Sequence, residues 1–216
     1  MTTVAVDKWV VGFRSQREWA WLIGIAFFLG GIGAGLFMLS AVIGFPLGML
    51  VALGIVAIAI AMAHLLYLGR PERFWRAISR PQTSWISRGL ILVLVLIVVG
   101  ALYLAPSWEP LGGLPWGEGT ALGQVLRVVA LASALGVAAY SGFVLAYSPA
   151  ISFWNTALLP LLFLLYSFMG GIALTFVLHP WHNGAVAEAR EMLETLEIGL
   201  VAVALLFVLV YLATMF

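Results

Sequence analysis

Residues 19–69 read WAWLIGIAFFLGGIGAGLFMLSAVIGFPLGMLVALGIVAIAIAMAHLLYLG, without a single Asp, Glu, Lys or Arg. One turn-forming break interrupts the run, at Gly44-Phe45-Pro46-Leu47-Gly48. A membrane-spanning helix needs roughly 20 apolar residues, so the stretch predicts two such helices, over 19–44 and 48–68, joined by a tight turn. Water-soluble helices of that length need a polar face, and none is available here.

The pattern repeats along the chain. Between residues 119 and 187 the only charged side chain is Arg127, and from Ile198 to Phe216 there is none. Hydrophobic residues make up 64% and charged residues 9%, against about 25% charged in soluble domains, too few to cover a water-exposed surface. The remaining spans are predicted over 89–106, 120–147, 156–178 and 194–216, with 179–193 as a loop. The expected fold is therefore all-α, a polytopic membrane bundle of six helices. The first apolar run is longer than a signal-peptide core and is expected to be retained as a span. Trp19, Trp21, Trp75, Trp85, Trp108, Trp116, Trp154 and Trp181 fall at or near span ends, as an interfacial aromatic belt requires.

A short internal repeat refines the plan. Phe28-Leu29-Gly30-Gly31-Ile32 in the first helix matches Phe168-Met169-Gly170-Gly171-Ile172 in the fifth. Four connections separate the two, so the copies run parallel. The expected organisation is an N-terminal segment over 1–18, a four-helix bundle over 19–147 and a two-helix partial repeat over 148–216. Gly31 and Gly35 form a GxxxG spacing suited to close helix contact. A second reading lets these glycines admit a flat ligand to the backbone.

Six spans put both termini on one side, with loops 69–88 and 148–155. That side carries Lys8, Arg14, Arg17, Arg70, Arg73, Arg76, Arg80 and Arg88, eight of the ten Lys and Arg residues. The positive-inside rule makes it cytoplasmic, in a plasma (inner) membrane.

The residue inventory limits the chemistry. There is no cysteine, so the chain cannot hold an iron–sulfur cluster on its own thiolates. The three histidines are His64, His179 and His182. The first lies at the opposite membrane face from the other two, which excludes a bis-histidine haem. No metal site is expected, nor a nucleic-acid partner. His64, Tyr67, Tyr140 and Ser141 lie near the cytoplasmic ends of their helices, at the level of Arg70, Arg73, Trp85 and Arg88. A quinone headgroup requires hydrogen-bond donors beside apolar walls and a proton source, and these residue types supply them. The bland alternative is that they anchor helices and bind lipid phosphates. Arg127 lies about 10 Å into the fourth helix at 1.5 Å per residue. It is expected to pair with Glu194 or Glu197 of the sixth helix, or with a backbone carbonyl, as a structural ion pair or as part of a proton route.

The loop joining the second and third helices is more specific. His64-Leu65-Leu66-Tyr67-Leu68-Gly69-Arg70-Pro71-Glu72-Arg73-Phe74-Trp75-Arg76 continues to Pro81-Gln82-Thr83-Ser84-Trp85-Ile86-Ser87-Arg88-Gly89. This resembles the signature loop of the polysulfide reductase membrane-subunit family, also called NrfD-like. Tyr140-Ser141-Gly142, Ser148-Pro149, Trp154-Asn155 and Leu159-Pro160 agree with it, so the resemblance covers residues 25–178. It implies a membrane anchor without redox centres of its own, exchanging electrons with menaquinone or ubiquinone. It further implies an iron–sulfur partner and a molybdopterin-type catalytic partner docked over loop 69–88. By the same resemblance the helix-four tyrosine, here Tyr140, is a quinone ligand. His64, Arg70, Trp85, Arg88 and Asn155 would complete the pocket, and Arg73, Arg76 and Arg80 the docking surface. Family members commonly have eight helices in two bundles, and many carry an acidic residue at the position of Tyr67. The rival readings are a small transporter or channel, and a purely structural anchor without a quinone site. A reporter fused after Phe216 is expected to be active only when it is of the kind that works in the cytoplasm; activity of a periplasmic reporter there overturns the orientation.

Overall fold

A computed structural model describes residues 21–67, 71–117, 119–148, 151, 153–181 and 183–215. The described residues form six α-helices: α1 (Trp21–Ile43), α2 (Pro46–Tyr67), α3 (Trp85–Leu104), α4 (Ala121–Ala146), α5 (Leu158–Leu178) and α6 (Asn183–Met215). Five of them are long and apolar enough to cross a membrane; in α2 the apolar part among the described residues is Pro46–Ala59. The segment 1–18 and its Lys8, Arg14 and Arg17 lie outside the described residues.

Helices α1 to α4 share one core. Leu36, Phe37 and Ala41 of α1 meet Ala52 and Val56 of α2, Val93 and Leu96 of α3, and Ala130, Ala134 and Val137 of α4. Helix α1 packs against α2, α4 and α5 and touches α6, while α6 leans mainly on α5. Accordingly α1 is buried all round from Gly33 to Ala41, as expected of a helix with no polar face.

The glycine run of α1 serves two interfaces. A Cβ on Gly31 would stand 2.7 Å from Ser167 Oγ, and one on Gly35 would overlap the Ser167 carbonyl. Conversely, a Cβ on Gly171 would stand 2.5 Å from the Gly35 carbonyl carbon. Helices α1 and α5 thus cross in backbone contact, the packing that small residues permit in lipid. On another face, a Cβ on Gly33 would come within 2.8 Å of Val56 on α2. The turn between α1 and α2 follows from Gly44, whose φ of +69° suits glycine. The Phe45 amide then donates to the Ser40 carbonyl at 2.8 Å, a Schellman closure, and Pro46 opens α2 at the position where proline is preferred.

Two boundaries differ from the sequence expectation. Helix α3 begins at Trp85 rather than near residue 89, because Ser84 caps it by accepting from the Ser87 amide at 3.3 Å. Helix α6 begins at Asn183, so much of the expected loop 179–193 is helical. Ala185, Ala187, Glu188, Ala189, Arg190, Glu191 and Met192 are strong helix formers, and Val186 and Leu193, seven apart, are both fully buried. At 33 residues and 1.5 Å per residue, α6 is about 50 Å long, beyond the roughly 30 Å hydrocarbon core. A helix does not end where its charges begin.

The α1–α5 crossing yields a direct test. Gly35→Val is expected to lower the melting temperature in detergent by several degrees or to stop the protein accumulating, since overpacking costs about 1–3 kcal/mol or more. Gly54→Val on α2, where an added Cβ meets nothing within 4 Å, serves as the comparison. Equal stability of the two variants, read by fluorescence-detected size exclusion after heating, would sink the account.

Candidate functional site

The end of the bundle that gathers the start of α3, the end of α4 and the start of α5 holds most of the residues the sequence singled out. The loop after α2 contains a 3₁₀ segment, Pro71–Ala77. It is then pinned from α3, where Ser87 Oγ donates to the Ala77 carbonyl at 2.5 Å. Arg88 completes the pinning: its Nε donates to the Pro81 carbonyl at 2.7 Å and Nη2 to the Gln82 carbonyl at 2.9 Å. The same guanidinium lies 4.5 Å over the Trp85 ring, and Trp85 stacks on Phe143 of α4 at 4.4 Å with a 7° interplanar angle. Cation, indole and phenyl form a three-layer stack that fastens loop, α3 and α4 together.

This geometry separates residues that the sequence grouped. Trp85 and Arg88, expected in a ligand pocket, are engaged in locking the loop. Asn155 is exposed in the loop between α4 and α5, its backbone N–H donating to the Ile151 carbonyl at 3.2 Å. Arg70 lies outside the described residues, as does the side chain of His64, although His64 itself stands in the last turn of α2. Arg73, Arg76 and Arg80 are exposed, and Arg76 lies 5.4 Å over Trp75, which is itself exposed. The loop therefore presents a basic, aromatic outer surface.

Tyr140 occupies a different position. Its ring lies against the backbone of Gly89 on α3, where a Cβ would come within 2.8 Å of the ring Cγ and closer still to other ring atoms. On its other side it meets Phe27 of α1 edge-on, with centroids 5.9 Å apart at 82°. A glycine on α3 and an aromatic on α1 thus hold the phenol between three helices. Next to it runs a groove of about 470 Å³ between the first halves of α1 and α5. Phe27, Phe28, Gly24, Leu159, Phe163 and Tyr166 are among its lining residues. Nothing in the sequence pattern by itself marks this groove. The one signal available is the repeat Phe28–Ile32 and Phe168–Ile172, whose copies sit on the two helices that form it.

At the other end of the bundle the expected Arg127 pair is absent among the described residues. Glu194 instead accepts from Arg190 Nε at 2.8 Å, an exposed pair one turn apart. Helix α6 leans on α5 rather than α4, which keeps its glutamates from Arg127. Arg127 is half-buried, and its long stem lets the charge reach toward the nearer interface. Glu197 turns Oε2 inward with no hydrogen-bond partner among the described residues.

A helical membrane protein whose signature loop is folded into a basic, tryptophan-locked cap is the class these features define. The family described as "Polysulphide reductase, NrfD" matches residues 9–216, and the chain belongs to it. It is similar to a selenate reductase subunit of Mesobacillus selenatarsenatis, 25% identical over 225 residues, covering 84% of this chain and 52% of that protein. It is also similar to protein NrfD of Escherichia coli, 29% identical over 186 residues, covering 74% and 58% respectively. A 64-residue stretch is 39% identical to a sulfite dehydrogenase subunit of Allochromatium vinosum, covering 30% of this chain and 19% of that one. The chain spans about half the length of the first two relatives. No solved structure matches it.

The lock on the loop can be measured. Arg88→Lys keeps the charge but loses the planar fork and the stacking surface. Amide exchange at residues 83–84 is expected to speed up at least tenfold, with the amides of the α1–α4 core unchanged. Unaltered exchange at those two amides contradicts the lock.

Proposed function

We propose that the chain is the membrane anchor of a multisubunit oxidoreductase and that it exchanges electrons with membrane quinone. The observation that carries this reading is the Tyr140 ring, held between Gly89 and Phe27 at the same end of the bundle as the basic loop. Reduction of a quinone to its quinol takes two electrons and two protons. A phenol can donate a hydrogen bond to a quinone carbonyl, and His64 in the last turn of α2 is the candidate to exchange a proton with solvent. The chain has no cysteine, so the electrons come from or go to an iron–sulfur partner, itself joined to a molybdopterin-type catalytic subunit. Arg73, Arg76, Arg80 and the exposed Trp75 form the docking surface for that partner. Arg and Trp are the residue types enriched at the energetic centres of interfaces. The names of two relatives, subunits of a selenate reductase and a sulfite dehydrogenase, support such an assembly. The Lys and Arg bias supports a cytoplasmic docking face, with both termini on that side of the inner membrane.

Tyr140→Phe tests the site. It removes one hydroxyl and leaves the ring packing in place. A lost hydrogen bond worth about 1–1.5 kcal/mol lowers kcat/KM for quinol about tenfold in the purified complex, with the stoichiometry of the assembly unchanged. Normal quinone kinetics in an assembled Tyr140→Phe complex refutes the assignment.

A further inference from the structure

We infer that the groove between α1 and α5 binds the isoprenoid tail of the quinone, so that the substrate enters sideways from the lipid between these two helices; this rests on the quinone reading above. The groove has about 470 Å³, within the roughly 300–1,000 Å³ typical of small-molecule sites. Its walls are aliphatic and aromatic, with Phe28 and Tyr166 exposed at the mouth and Leu162 buried at the base. No charged residue lines it, and its polar side chains are Tyr166 and Ser167, the latter bonded to the Phe163 carbonyl, so the walls suit a branched hydrocarbon chain better than a charged ligand.

Two features select a quinone tail over any other apolar chain. The groove lies at the Tyr140 end of the bundle, and Phe27 belongs to both places. Phe27 lines the groove and meets the Tyr140 ring edge-on. The groove and the phenol thus share the Phe27 ring, so a head at Tyr140 leads its tail past Phe27. The backbones of α1 and α5 touch at Gly35, Ser167 and Gly171, and the groove is lined by residues on the N-terminal side of that contact, Gly24 to Ile32 on α1 and Leu159 to Ser167 on α5.

Gly24 provides the test, because a Cβ added there meets nothing within 4 Å and a bulky side chain enters the groove without forcing the backbone. The purified complex carrying Gly24→Trp is compared with one carrying Gly54→Trp, which puts the same bulk on an exposed position of α2. Two probes are used: a quinone with a long isoprenoid tail, and its analogue with the tail cut to a methyl group. For Gly24→Trp the ratio of kcat/KM, long-tailed over tail-less, is expected to fall about tenfold, and for Gly54→Trp to stay as in the native complex. A long-tailed quinone bearing a diazirine on its second isoprene unit is expected to crosslink to residues 24–32 or 159–167, and Gly24→Trp to abolish that crosslink. An equal loss for both probes, or an unchanged ratio, overturns the tail groove while leaving the Tyr140 assignment to its own test. Co-purification of a phospholipid that protects 159–167 from the probe, with kinetics indifferent to Gly24→Trp, overturns it in favour of a structural lipid. Loss of quinone coupling in neither Tyr140→Phe nor Gly24→Trp removes the quinone reading itself.

Discussion

Among the described glycines, the tightest approach is between the backbones of α1 and α5, where Gly31 and Gly35 meet Ser167 and Gly171. In lipid there is no hydrophobic gain from bringing two apolar helices together. Association there depends on packing and on how near the backbones can come. A side chain at Gly35 or Gly171 would have to displace backbone rather than a flexible neighbour, so the contact has no give. The packing of α1 against α5 depends on it.

Three of the buried hydroxyl groups follow the same economy of space. Ser133, Ser167 and Thr175 are buried, and each donates to the carbonyl one turn earlier on its own helix, at 2.8, 2.7 and 2.9 Å. Satisfied within their own helix, they add no bulk and require no partner across the interface. This is how hydroxyl residues are tolerated in lipid. Charged groups are treated differently: the arginines of loop 71–88 stay at one end of the bundle. There Arg88 is turned inward on loop carbonyls, and Arg73, Arg76 and Arg80 remain outside.

One division of labour emerges at the loop end. Trp85, Arg88 and Ser87 make a rigid lid out of a segment with only a short 3₁₀ helix of its own. Tyr140 sits beneath, between Gly89 and Phe27, and the groove runs alongside toward lipid. Rigid scaffolding beside an apolar cleft is the arrangement expected where a ligand must be oriented rather than merely dissolved.

Much of this was legible in the residue order. Charge-free runs of spanning length identify helices in lipid, because a helix satisfies its backbone within one segment whereas barrel strands alternate apolar and polar residues. The Gly44–Pro46 break marks the first turn, because few other residues suit its conformation. The signature loop and Tyr140 were legible as a family pattern. Side-chain partnership was not. The sequence did not show that Trp85 stacks on Phe143, 58 residues along the chain, or that Arg88 lies over the Trp85 ring. Arg127 and Glu194 read as partners until α6 leaned on α5 and left Glu194 to Arg190. The start of α6 was misread because charge, which reports the membrane boundary, does not report the end of a helix. Of the groove the sequence carried no more than the repeat on its two helices, since the space belongs to neither helix alone. Local chemistry decides which segments become helices in a membrane; which faces meet is decided only when all the helices compete for the same small surfaces.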